Sequence, residues 1–289
     1  MIILNEKEYA MKCIRNNDIG DNPYITLTIL ARYYCHELNY KPKKIATTLH
    51  TFIKSTYPRY TANIKEWTDT IEKISKAASK YMLFESDGVW ITEGEFEKIA
   101  ELNNTIMEKL MFTMLCIAKL NNQKSENNNY WVNTDIKEIF EMAGIKGTIK
   151  SRAKRIGKLI KQGYIRFANR IDNLNIQVLF HDEDGEKKLV VTDFRELGNE
   201  YLFYCGGDFI RCAECGRLVK NNKNRTKKYC SNCAVYTPGK TKIVTCVDCG
   251  KAFVVKPLNT KTCRCRECQQ IRRKEMDRQR KKSFINKSK

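Results

Sequence analysis

Four cysteine pairs near the C-terminus constrain this chain more than any other feature. Cys212-Ala213-Glu214-Cys215-Gly216 places two thiols two residues apart with a glycine behind them, and Cys230-Ser231-Asn232-Cys233 repeats the spacing. The unit recurs as Cys246-Val247-Asp248-Cys249-Gly250 and Cys265-Arg266-Glu267-Cys268, a repeat of about 34 residues. Two intervening residues let a tight turn aim both sulfurs at one ion. The amides of the turn can face those sulfurs, and the glycine lets the backbone swing away after the second ligand. Two such turns complete a tetrahedral four-thiolate site with bonds of roughly 2.3 Å.

Zinc suits these sites best, because it needs no redox chemistry and tolerates the geometry. An iron–sulfur cluster is the lesser alternative. Both units resemble zinc ribbons, and the resemblance implies two zinc ions. One would be held by Cys212, Cys215, Cys230 and Cys233, the other by Cys246, Cys249, Cys265 and Cys268. Cys263 sits beside the last pair, so ligation by Cys263 with Cys268 stays open against Cys265 with Cys268, which keep the two-residue spacing. The start of the chain, MIILNEKEYAMK, lacks the basic-then-apolar layout of an export signal. The thiols are therefore expected in a reducing cytoplasm, where metal binding is favoured over disulfides. Cys13, Cys35 and Cys116 read as small core residues, and Cys205 has no partner at ligand spacing.

Charge divides the chain at the same place. Residues 211–289 hold 23 Lys and Arg against 5 Asp and Glu, whereas 1–210 hold 30 against 28. Each four-thiolate zinc site carries a net −2, which lowers the basic module from about +18 to about +14. Lys223, Arg225, Lys227 and Lys228 crowd the first ribbon. Arg272, Arg273 and Lys274 lie in a cationic stretch after Cys268 that lacks an apolar stripe and favours a helix when bound. Cation density of this kind binds polyphosphate by counterion release; the plainer alternative is a solubilising tail.

The body reads as helical. Apolar residues make up 42% of the chain, enough for a core, and no run of 18 apolar residues exists to span a membrane. Leu27, Leu30 and Tyr34 share a helix face, as do Ile45, Leu49 and Phe52 after Pro42. Ile64, Trp67, Ile71, Ile74, Ala78 and Tyr81 form a longer stripe. Thr92-Glu93-Gly94-Glu95 matches a capping box. Residues 1–100 are expected to be a helical domain, either a plain core or a partner-binding surface.

Residues 101–195 carry a more telling order. Ile106, Leu110, Met114, Ile117 and Leu120 predict a helix, Tyr130-Trp131-Val132 an extended piece, and Asn133 or Thr134 the cap of a short helix ending at Gly144. Thr148 caps a further helix with Ile149, Ala153, Ile156 and Ile160 as its apolar side, stopped by Gly163. A hairpin follows from Tyr164 to His181, turning at Arg170 to Asn173. This order, with the segment Ile156 to Ile165, resembles the bacterial winged helix-turn-helix domains. The resemblance makes the Thr148–Gln162 helix a groove reader. That helix carries Lys150, Arg152, Lys154, Arg155, Lys158 and Lys161 and no acid, as contact with phosphates and base edges requires. Arg166 and Arg170 fall on the wing. The alternatives are a solvated basic face and a hairpin that only packs.

No catalytic set is evident. There is no phosphate-binding loop ending in Gly-Lys-Ser or Gly-Lys-Thr and no serine elbow, and His36, His50 and His181 are scattered. Asp182, Glu183 and Asp184 read as a hairpin turn in preference to a magnesium site. With every cysteine pair committed to a closed site, neither zinc keeps an open position for water, and the chain is expected not to be an enzyme.

Tyr130 to Asn133, Asn173 to Phe180, Thr192 to Gly198 and the start at Cys212 resemble a family of uncharacterised zinc-ribbon proteins from phages and mobile elements of low-GC Gram-positive bacteria. This implies a bacterial host cytoplasm, at the nucleoid. The expected fold is mainly α with small β elements. It comprises a helical domain (1–100), a winged helix (101–195), a first zinc ribbon (196–240) and a second with a basic tail (241–289). The expected function is non-enzymatic DNA binding, as a transcription regulator. The alternatives are an adaptor on RNA polymerase or replication machinery, a single-strand or RNA binder and, less favoured, a nuclease.

Overall fold

Capping chemistry sets the helix starts in the computed structural model, which describes residues 2–20, 22–57, 60–125, 128–168, 175–222, 224, 226–235, 242–255, 263–273 and 275–276. Asn5 accepts the Glu8 amide and opens α1 (Glu6–Asn16), a helix the sequence left unassigned. Asn22 accepts the Ile25 amide, and Pro23 fixes the first turn of α2 (Pro23–His36). Pro42 does the same for α3 (Pro42–Thr56), and α4 (Ile64–Ala77) follows. The expected stripes close on one another, so that Leu27, Leu30, Ile45, Leu49, Ile71 and Ile74 share one core. The α4 stripe is longer than its buried part, because Ile64 and Tyr81 at its two ends are exposed.

A second core forms around a buried helix. β1 (Val89–Thr92) runs into α5 (Glu93–Ala100) through the anticipated capping box, with Thr92 and Glu95 each accepting the other's amide. α6 (Thr105–Ser125) is buried nearly all round between Met107 and Leu120, so its apolar residues run on without a polar face. Around it stand β2 (Trp131–Val132), α7 (Ile136–Met142), α8 (Ile149–Lys161), β3 (Ile165–Phe167) and β4 (Ile176–Val178). The three strands make one antiparallel sheet in the order β2-β4-β3. Asp135, rather than Asn133 or Thr134, caps α7: its carboxylate accepts the Lys137 amide at 2.7 Å. Gly144 and Gly163 adopt positive φ after α7 and α8, as their place in the sequence requires.

Two expected boundaries move. β5 (Lys187–Val191) pairs antiparallel with β1, Val89 against Val191, so Ile91, Phe96 and Ile99 belong to the second core and not to a domain ending at 100. α9 (Leu197–Tyr204) buries Leu197 and Tyr201 against that core, which places it in the body and not in the first ribbon. Both differences come from pairings between distant segments that local periodicity does not encode. The chain accordingly divides into Met1–Gly207 and Asp208–Lys289. Among its described residues the second unit has hairpin β6 (Phe209–Arg211) with β7 (Leu218–Lys220), a short 3-10 turn at Cys233–Val235, hairpin β8 (Lys242–Thr245) with β9 (Ala252–Val255), and a helical stretch at 266–273. Among the described residues no helix is long and apolar enough to cross a membrane.

Candidate metal centres and the basic helix

Each hairpin of the second unit ends in a sulfur-bearing turn built the same way. The Cys212 amide donates to Arg217 O at 2.9 Å and Gly216 N to Cys212 O at 2.8 Å; the corresponding Cys246–Lys251 and Gly250–Cys246 bonds are both 2.9 Å. Gly216 and Gly250 both sit at φ +70°, where a side chain would be strained, although a Cβ would meet nothing within 4 Å. Conformation, and not space, therefore demands these glycines.

The turns bring together the two sets of four thiols read from the sequence. Cys212, Cys215, Cys230 and Cys233 form one group and Cys246, Cys249, Cys265 and Cys268 the other, with the sulfurs of each group all within 4.8 Å of one another. Each group can hold a metal ion. Cys215 and Cys230 sulfurs lie 3.8 Å apart, and Cys249 and Cys265 sulfurs 3.7 Å. A tetrahedron with bonds of about 2.3 Å has an edge of about 3.8 Å, so the donor set fits a tetrahedral thiophilic ion. Backbone amides point at the sulfurs, Cys233 N to Cys230 Sγ at 3.4 Å and Cys265 N to Cys246 Sγ at 3.3 Å.

Thiol acidity follows from this geometry. Burial acts to raise Cys212, but amide donors from Cys230, Cys215 and Glu214 outweigh it and bring the thiol down to about 6. Cys246 also comes down to about 6, burial being outweighed by the amides of Cys265, Asp248 and Cys249. Cys233 and Cys268 are pushed up, first by side-chain hydrogen bonds with Cys215 and Cys265 respectively. Four thiols in this space cannot all ionise against one another, and a divalent cation at their centre removes that repulsion.

The choice between Cys263 and Cys265 is resolved by backbone pairing. Cys265 is buried with its sulfur in the group, while Cys263 is exposed and its sulfur accepts from Arg264 Nη1 at 3.4 Å. The Cys263 carbonyl accepts the Val247 amide at 3.0 Å, the role that Lys228 O plays for Ala213 N in the first repeat. The two groups differ in exposure: Cys249 is exposed, whereas no cysteine of the first group is.

α8 separates its basic residues into two sets. Lys150, Lys154, Lys158 and Lys161 are exposed. Arg152 is not: its guanidinium lies 5.7 Å from the centre of the Phe140 ring, and its Nε is buried without a hydrogen-bond partner. Arg155 is half-buried and donates to Ser151 Oγ at 3.4 Å. The apolar side also differs from the expected one. Ile156 and Leu159 are the fully buried residues, whereas Ile149 and Ala153 are exposed, because the inward face of α8 runs through Arg152, Ile156 and Leu159 and these two flank it. Thr148 caps the helix as expected, accepting the Ser151 amide. On the sheet, Arg166 is exposed and donates to Gln177 Oε1 at 2.6 Å. Arg272 and Arg273 are exposed on the 266–273 stretch. Arg170 with the rest of the hairpin turn, Lys223, Arg225 and Lys274 lie outside the described residues.

The acidic run at 182–184 is tied into the body. Asp182 accepts the Gly185 amide at 2.9 Å and the Thr92 hydroxyl at 3.2 Å, and the Tyr130 hydroxyl donates to Glu183. The histidines stay apart: His36 contacts Tyr81 O, His50 contacts the Tyr60 hydroxyl, and His181 stacks on Tyr130 with ring centres 4.0 Å apart. Compared with protein-family models, curated proteins and solved structures, the chain matches none of them.

Proposed function

We propose that this chain is a non-enzymatic DNA-binding protein in which residues 105–178 act as a winged helix-turn-helix and each four-cysteine group binds a zinc ion. One observation carries the reading. α8 presents Lys150, Lys154, Lys158 and Lys161 to solvent with no acidic residue along the helix. It follows α6, β2 and α7 and precedes the antiparallel strands β3 and β4, an order and sheet arrangement suited to offering one helix to a major groove. Arg166 lies exposed on β3, on the proposed wing. The second unit adds cationic residues, with Arg272 and Arg273 among them, that contribute affinity along the backbone without specifying sequence. Regulation of transcription in a bacterial host is the role such an arrangement serves.

The test uses the full zinc-loaded chain. Fluorescence anisotropy on a 30-base-pair duplex, on one of its strands and on the matching RNA should rank the duplex first. Reversing Lys150, Lys154 and Lys158 to Glu should abolish that preference, while metal analysis returns two zinc ions per chain. Equal binding to all three nucleic acids, undisturbed by the reversal, would rule the reading out.

A second reading, an adaptor for RNA polymerase or a replication protein, draws on the second unit. Ile243, Val247, Ile271 and Met276 are exposed there, and a groove beside Cys249 and Cys268 is lined by Ile271, Arg272 and Met276. Capture of a polymerase subunit without DNA, lost on changing Ile271 and Met276 to Ser, would favour it.

A further inference from the structure

We infer that α8 reads thymine, through the methyl groups of Ile149 and Ala153, and that its lysines grip phosphate. The inference rests on the groove-reading role proposed above and names what is read. Sequence readout in a major groove uses a short menu: Arg or Lys on guanine, Asn or Gln on adenine, and apolar side chains on the C5-methyl of thymine. The exposed residues of α8 include Ile149, Lys150, Ala153, Lys154, Gly157 and Lys158. None of them is Arg, Asn or Gln. The two arginines of the helix are engaged, Arg152 over Phe140 and Arg155 with Ser151. Arg152 is thus withdrawn from the face, and Arg155 is half-buried at its edge with one arm held by Ser151.

What remains besides lysine is methyl-bearing. Ile149 is 85% exposed at the first position of the helix, where it contributes nothing to the core. N-terminal residues of a reading helix are the ones that reach base edges. Ala153 stands one turn further on, about 6 Å along the axis, which is close to two base-pair steps. Gly157 has open space where a Cβ would stand, so the next turn lets the helix backbone approach the groove floor. Lys150 and Lys154 are exposed on the same two turns. A flexible ammonium on a four-carbon stem suits a phosphate as a point charge.

The test begins by selecting duplexes from a pool with 20 random base pairs, using the full zinc-loaded chain. The selected sequence is then resynthesised with deoxyuridine in place of individual thymines, which removes only the methyl group, and with 7-deazaguanine in place of guanines. Loss of one buried methyl should weaken binding by about fourfold, and loss of two by about fifteenfold. Ile149→Ala should make one of the two positions indifferent to the thymine-to-uracil change while leaving the salt dependence of binding intact. Ile149 is exposed, so this variant keeps the core. The inference fails if the fully uracil-substituted duplex binds as tightly as the thymine duplex, if Ile149→Ala keeps full discrimination, or if 7-deazaguanine alone weakens binding. In those cases salt-dependent duplex binding would survive, and only the readout would be wrong. No duplex binding at low salt would refute the groove-reading role itself.

Discussion

Replacing Lys150 and Lys154 together by Ala gives the sharpest measure of whether α8 touches DNA. The helix exposes four lysines, Lys150, Lys154, Lys158 and Lys161, and carries no acid to neutralise them. Each phosphate neutralised on duplex DNA adds about −0.9 to the slope of log affinity against log salt, so four contacts set a slope of about −3.6 from this helix. Removing two lowers its magnitude by about 1.8. Between 50 and 200 mM salt, a fourfold change, the double variant should therefore lose about 12-fold less affinity than the unchanged chain. The basic module at 208–289 adds its own slope to both proteins and cancels in the comparison. Anisotropy on a fixed 30-base-pair duplex at five salt concentrations measures both slopes, and circular dichroism verifies that the exposed substitutions leave the helices in place. Two parallel lines would show that α8 faces away from the duplex, and the proposed groove contact would have to be abandoned.

Other consequences follow from the same geometry. Cys265→Ser should drop the metal content from two ions per chain to one, while Cys263→Ser leaves two, as native mass spectrometry can count. Lys119→Met removes the partner of Glu95, whose buried carboxylate accepts Lys119 Nζ at 2.7 and 2.8 Å and the amides of Thr92 and Asp182. Stranding that charge should cost about 3–5 kcal/mol in urea unfolding, whereas Lys98→Met, at the exposed pair with Glu101, should leave the unfolding midpoint essentially where it is. Arg152→Ala should cost about 1 kcal/mol through its lost stacking on Phe140 yet leave the salt slope of DNA binding unchanged. A chelator should make 208–289 sensitive to protease while 1–207 resists, and equal resistance of both would contradict the metal-held view of the second unit.

How much of this was legible in the sequence depended on how local each signal was. Cysteines spaced two residues apart come together within one turn, so both groups of four could be read directly. The Cys263 ambiguity had a signal in the repeat: Cys263 precedes its pair by the same two residues as Lys228, and both supply a backbone carbonyl. The basic character of α8 was legible, but its orientation was not. Arg152, Ile156 and Leu159 share a helix face, so Arg152 turns inward, which the ring of Phe140 on a different helix makes tolerable. Capping residues Thr92 and Thr148 were readable because their partners lie three residues away. The β1–β5 pairing joins residues about a hundred positions apart and left no local trace.

The two units are held together by different forces, and this bears on where sequence information can reside. The body buries two apolar clusters, with residues such as Leu110, Phe112, Phe140 and Ile156 fixing the helices around α6. Among the described residues of 208–289 the buried hydrophobic set is Cys212, Leu218, Cys230, Cys246, Val255 and Cys265, so four of its six members belong to the four-cysteine groups. Two aliphatic side chains cannot offset the chain entropy of ordering such a segment, whereas metal–thiolate bonds can. Discrimination between bases needs donors and methyl groups fixed to a small fraction of a base-pair step, and on the proposed reading the burial of Ile156 and Leu159 is what would hold α8 that firmly. Attraction to phosphate tolerates looser placement, because it falls off over a Debye length of about 8–10 Å. Under the proposed DNA-binding reading, a cationic module on a small metal-held scaffold would therefore serve affinity, and the α8 face selection.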